Sequence, residues 1–165
     1  MLTLDPIRFL DFARTLSDQA VCDDETDSRV GVDRCYYAVA HLLWHRLELY
    51  LASEDPYGAA HDLEMMKKYI HKVIQEVLLV IGSSLRTMVA ELFRKRVKAS
   101  YHMKDVVCLD DLEESVENAT YVTQNMDCIV EELDSAYSID KLDSTWWSDL
   151  RQSLSKNPSH RGIEP

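Results

Sequence analysis

Apolar residues recur at intervals of three and four over nearly the whole chain, and no window long enough to form a strand alternates at two. A helix advances ~100° per residue, so these intervals put the apolar side chains on one stripe and predict an all-α protein with its helices packed as a bundle. The first predicted helix covers residues 6–19, with Pro6 at an early helical position and Ile7, Leu10, Phe12, Ala13 and Leu16 on the buried side. The polar run 23–28 serves as loop and helix start. A second, long helix is predicted over 28–52, where Tyr36, Ala40, Leu43, Leu47 and Tyr50 share a stripe. After the Asp55-Pro56-Tyr57-Gly58 turn, Leu63, Met66, Ile70, Val73, Val77 and Val80 step by three and four, the pattern of one further helix, ended or bent at 82–84.

A fourth helix follows with Leu85, Val89, Leu92 and Ala99 inside. Asp110 and Asp111 suit the start of a fifth, in which Leu112, Val116, Ala119, Thr123, Met126, Val130, Leu133 and Tyr137 alternate by four and three. A short amphipathic helix with Trp146, Trp147 and Leu150 is predicted over 144–154, and residues 156–165 read as a frayed tail. The expected organisation is therefore a four- or five-helix bundle over 1–143 with an appended segment, 144–165.

Composition narrows the function classes. The chain has 165 residues with four Gly and four Pro, which favours one compact domain, and 46% hydrophobic residues suffice for a core. Acidic residues outnumber basic ones 29 to 18, for a net charge of −11. That surface repels polyanions unless the basic residues are gathered, so broad DNA binding is excluded. Cys22, Cys35, Cys108 and Cys128 form no C-x-x-C pair or zinc-type grouping, which fits free thiols in a reducing cytoplasm. The apolar run 77–81 is far below the ~18 residues of a membrane span. Asp5, Arg8, Asp11 and Arg14 interrupt the first twenty residues, so neither export nor membrane insertion is expected.

The one basic concentration is the run 94–98, extended by His102 and Lys104. Projected from Leu85, Arg94 falls about 180° and Lys98 about 220° away, toward solvent, whereas Arg96 falls about 20° from the apolar centre. A buried guanidinium needs a partner: a carboxylate such as Asp33 or Glu48, a helix end, a cleft, or another subunit's groove. Arg94 and Lys98 form either a phosphate-contacting strip or a plain solvated face. His102 lies ~240° from Arg96 on an unbroken helix, so the two converge only if the helix ends between them. His41, His45 and Glu48 share a helical band with the residue types zinc accepts, but no fourth ligand is evident, and neither metal nor cofactor is expected. Trp146 and Trp147 point ~100° apart, one onto the core and the other partly outward.

Three segments carry a resemblance. Arg34-Cys35-Tyr36-Tyr37-Ala38-Val39-Ala40-His41, His71-Lys72-Val73-Ile74, and Leu92 with Arg96 and Ala99-Ser100-Tyr101 resemble, in order and separation, the motifs of the HEPN superfamily. The similarity spans residues 27–137, about two-thirds of the chain. It implies a four- or five-helix bundle forming a two-fold dimer. Many relatives are metal-independent ribonucleases with an arginine followed after four to six residues by a histidine, a form that Arg96 and His102 share. By that resemblance His102 would deprotonate a ribose 2′-hydroxyl while Arg96 stabilises the scissile phosphate. Arg34, His41, Arg94, Lys98 and Tyr101 would line a nucleic-acid or nucleotide cleft. Val97 stands where active relatives place a polar residue, and Ser100 replaces the acid of the alanine-acid-tyrosine signature. Double-tyrosine branches without the arginine–histidine pair resemble non-catalytic modules working beside a small nucleotidyltransferase. The expectation is a homodimeric, cytoplasmic protein of a toxin, defence or stress module that acts on or binds RNA or nucleotides, or a binding module paired with such a partner.

Overall fold

The computed structural model describes residues 5–19, 25–54 and 57–156. Among them are eight α-helices and no strand: α1 (Ile7–Gln19), α2 (Glu25–Glu54), α3 (Ala59–Met65), α4 (Ile70–Val80), α5 (Arg86–Tyr101), α6 (Leu109–Gln124), α7 (Cys128–Ser138) and α8 (Ser144–Lys156). A 3-10 turn, Lys67–Tyr69, joins α3 to α4. The protein is all-α, and no described helix is long and apolar enough to cross a membrane. Cys22, Pro56 and residues 157–165 of the expected tail lie outside the described residues, whereas Lys156 closes α8.

The chain divides into two compact units, residues 1–42 with 87–125 and residues 43–86 with 126–165. Helix α2 contributes its first half to one and its second half to the other. In the first unit Leu10 and Ala13 of α1, Val32, Tyr36 and Val39 of α2, Leu92 of α5 and Leu112 of α6 are buried. Gly31 sits in the interior of α2 at a cost of about 1 kcal/mol relative to alanine. A Cβ there would fall inside the van der Waals envelope of Leu112 Cδ1, so α2 and α6 approach closely only because the side chain is missing. The buried side of α1 is narrower than expected: Ile7 and Phe12 are exposed, because only the stripe through Leu10 and Ala13 faces the core.

The second unit has Leu43, Leu47, Ile74, Val77, Ile129 and Leu133 in its core. Trp147 is fully buried and donates from Nε1 to Tyr137 Oη at 3.0 Å, which packs α8 against α7. Two expected helices are each broken in two. Between α3 and α4 the tighter 3-10 turn shifts the register, burying Tyr69 and leaving Ile70 half-buried. Between α6 and α7 the chain turns at 125–127, where Asn125 Nδ2 returns a hydrogen bond to Tyr121 O at 2.8 Å. Of the expected set Leu112, Ala119, Met126, Leu133 and Tyr137 are buried, whereas Ser115, Val122 and Ile129 are buried in place of Val116, Thr123 and Val130.

Helix α4 ends in a Schellman turn: Gly82, at φ 69°, donates to Leu79 O at 3.2 Å and Ser83 donates to Leu78 O at 2.9 Å. Helix α7 ends the same way on Asp140 at φ 55°, with Lys141 N donating to Ala136 O at 3.0 Å.

Candidate functional site

Spacing by four puts Asp33, Tyr37 and His41 on one face of α2. In the same unit this face meets Arg96 of α5. Arg96 is 4% exposed. Its Nη2 donates to Tyr37 Oη and to Tyr101 Oη, both at 3.0 Å, and its Nε stands 3.4 Å from Asp33 Oδ1. The guanidinium carbon lies 5.4 Å from the Tyr37 ring centre and 4.9 Å from that of Tyr101. Burial by itself would lower the pKa of the guanidinium, but the two tyrosines and Asp33 outweigh it and hold the value above the ordinary one. Ser100 Oγ donates to the same Asp33 Oδ1 at 2.8 Å, fixing the carboxylate from the α5 side. Of the two carboxylates raised as partners for Arg96, Asp33 is therefore the one that meets it. Glu48 instead accepts from Trp44 Nε1 at 2.7 Å.

The end of α5 is tied to α2 by a residue without a sequence signal. Arg29 Nη1 donates to Ala99 O at 2.9 Å and Lys98 O at 3.3 Å, and its Nη2 donates to Asp105 O. A cation at a helix C-terminus satisfies carbonyls that the helix leaves unpaired and meets the negative end of its dipole. Glu25 holds Arg29 in place, accepting at Oε1 from Nη2 at 2.7 Å. The same Glu25 oxygen also accepts from the backbone N of Val107 at 3.5 Å. The connection after α5 is thus pinned at both ends.

The basic run is largely neutralised by acids. Arg94 is exposed and pairs with Glu91 at 2.5 Å, and that pairing holds the Glu91 carboxyl below its usual range. Lys95 is buried, against any expectation from the pattern, since it lies about 80° from the apolar centre. Its Nζ reaches Glu114 Oε2 at 2.5 Å and Asp111 Oδ1 at 3.7 Å. Lys98 Nζ donates to Asp111 Oδ2 at 2.9 Å. Burial works to raise the Asp111 pKa, yet the bonds from Lys98 and the Cys108 backbone N, with the charge of Lys95, hold it low. Asp111 also closes a capping box at the start of α6, so one carboxylate serves helix start and ion network together.

His102 follows the last residue of α5 and still donates its backbone N–H to Lys98 O at 3.2 Å, so helical rotation persists through it. It is exposed, with Nδ1 3.3 Å from Asp105 Oδ2. It lines an open depression of about 470 Å³ with Phe93, Arg94, Val97, Lys98 and Asp105. The two residues expected to act as a pair are placed differently, Arg96 against Tyr37, Tyr101 and Asp33, and His102 beside Arg94 and Lys98. The remaining expected cleft residues divide as well. Arg34 lies over the Phe9 ring at 5.4 Å. Tyr101 belongs to the Arg96 cluster. His41 stacks on Tyr37 with ring centres 6.1 Å apart, and the hydration it loses there pushes its pKa below the ordinary histidine value.

His45 Nδ1 stands 3.8 Å from Glu48, and among the described residues no group of three His, Cys, Asp or Glu side chains is placed to hold a metal ion. Burial pushes the Cys35 thiol up to about 12, which leaves it without nucleophilic character. Asp33 and Tyr37 are legible as neighbours of Arg96 once the four-residue spacing on α2 is combined with its apolar placement on α5, whereas Arg29 and Lys95 carry no such signal. No protein-family model, curated protein or solved structure matches this chain.

Proposed function

We propose that the chain is a HEPN-like, non-catalytic helical module that works by binding a protein partner, of the nucleotidyltransferase type or another, as a homodimer. One observation carries this reading. Arg96, the residue a ribonuclease mechanism needs at the scissile phosphate, is buried and already meets two tyrosine hydroxyls and a carboxylate. Releasing it to a phosphate would strand those groups, at a cost of about 3 kcal/mol or more. The acids around Lys95 and Lys98 support the same reading, because they remove most of the positive potential that RNA would need.

A second reading, contact with RNA or a nucleotide and metal-independent cleavage, is favoured by a different observation. Arg94, Lys98 and His102 line one open depression, the local arrangement such chemistry would use. The test is incubation of the purified chain with a mixed RNA pool in excess EDTA. The module reading expects no cleavage at any protein concentration and co-purification with a partner in fixed ratio. Cleavage that disappears in folded Arg96→Ala and His102→Ala variants would replace it with the ribonuclease reading.

A further inference from the structure

The second unit carries an open groove of about 330 Å³ lined by Met65, Lys68, Arg151, Gln152, Ser155 and Lys156. We propose that this groove docks a segment of a partner protein that is acidic and carries an apolar anchor residue. The proposal rests on the interaction-module reading and gives its partner a chemistry.

Helical spacing builds one wall. Arg151 with Ser155, and Gln152 with Lys156, are four residues apart, so the four cover an arc of ~140° on α8 that runs from half-buried Arg151, flanking the buried Trp147 and Leu154, to exposed Lys156. Met65, at the end of α3, is 56% exposed at the same groove. An unbranched thioether of this kind adapts to apolar side chains of different shape.

Charge selects the occupant. In a chain of net charge −11, this lining holds three cations and no carboxylate. Among the described residues Asp62 is the one acid paired with any of them, meeting Arg151 Nη1 at 3.1 Å and orienting the guanidinium. Lys68 Nζ lies over the Tyr69 ring at 5.0 Å rather than on a carboxylate, and Lys156 makes no ion pair among the described residues. The depression beside His102 differs, because its arginine and lysine are paired with Glu91 and Asp111 and Asp105 stands in its wall. An isolated phosphate would use the cations and leave Met65 idle. A peptide with carboxylates flanking an apolar side chain uses both, as in grooves that read an apolar anchor and set specificity by charge.

The test is fluorescence anisotropy of the full chain with a short fluorescein-labelled peptide of Glu, Asp and Leu. The comparison probes are the same peptide with Leu replaced by Ser and a single-stranded RNA of equal charge. The Leu-containing peptide is expected to bind best. Its affinity should fall about tenfold in a Lys68→Glu/Lys156→Glu variant and fall further with added salt. Both lysines are exposed, so an unchanged melting temperature shows that the variant is folded. A Met65→Ser variant should lose the preference for Leu over Ser. No binding, undiminished binding by the double variant, or equal binding of the RNA would overturn the proposal. RNA cleavage by the unaltered chain would overturn the module reading instead, leaving the peptide titration to be judged separately.

Discussion

Tyr37 meets Arg96 in two ways at once: its hydroxyl accepts a hydrogen bond from Nη2 at 3.0 Å, and its ring centre lies 5.4 Å from the guanidinium carbon. The ring offers a π face and the hydroxyl a lone pair, so a cation with little access to water keeps both kinds of stabilisation. Tyr101 repeats the arrangement from α5 itself. Arg96 thereby fastens α5 to α2.

Arg96→Ala is expected to destabilise the fold by about 2–3 kcal/mol, less than the loss of a fully buried pair because Asp33 keeps its bond from Ser100. Tyr37→Phe should cost about 1 kcal/mol. Arg96→Lys should recover less than half of the alanine loss, because an ammonium lacks the planar fork that reaches both hydroxyls and Asp33. Urea denaturation of the four proteins checks the order. An Arg96→Ala chain as stable as the original would refute the structural role.

Much of this site follows from sequence and some does not, for definite reasons. The apolar placement of Arg96 and its need for an acid follow from helical rotation, and Asp33 meets that need. The stripe of α2, Tyr36 to Tyr50 by threes and fours, is buried as its spacing requires. Residues 59–80 and 109–138 read as two continuous helices, because a 3-10 turn or a one-residue offset preserves apolar periodicity while interrupting the helix. Lys95 and Arg29 were hidden because their burial and bonding depend on acids and carbonyls distant in sequence.

Gly31→Ala should destabilise although alanine favours helix. Helix propensity returns about 1 kcal/mol, but the new methyl group meets Leu112 Cδ1 and overpacking costs about 1–3 kcal/mol. Combining it with Leu112→Val should give a double variant more stable than the sum of the two single losses. Strict additivity in a double-mutant cycle would contradict the close approach.

Arg29→Ala should loosen the end of α5 before the rest of the unit. It removes a charged donor from the carbonyls of Lys98, Ala99 and Asp105, worth about 2 kcal/mol. Amide hydrogen exchange should quicken chiefly over 99–107. Exchange that accelerates uniformly across α2, α5 and α6 would mean that the residue supports the whole core instead.

Acid should act through Asp111 and His41 in distinct windows. Asp111 has a depressed pKa when folded, so its contribution is complete above the ordinary aspartate value of about 3.9 and is lost as pH falls through the lower folded value. His41, exposed overall, also has a depressed pKa, set by the hydration its ring loses, and as a base it disfavours the folded state when protonated. Its effect is absent above about pH 6.5 and grows as pH falls from there to the lowered folded value. Melting temperature against pH should lose the upper step in His41→Gln and shrink the lower step in Asp111→Asn, the remainder coming from the likewise depressed Glu91. Retention of both steps in both variants would contradict these assignments.

Arg96 is proposed to be an internal tie rather than a phosphate ligand. That role is tested most directly by following the Arg96 Nε–H resonance by NMR while a single-stranded RNA is added. The expected result is a slowly exchanging signal, assigned by its loss in Arg96→Lys, whose position stays fixed through the titration. A saturable shift of that signal, accompanied by loss of its protection from exchange, would show the guanidinium turning to phosphate and would contradict that role.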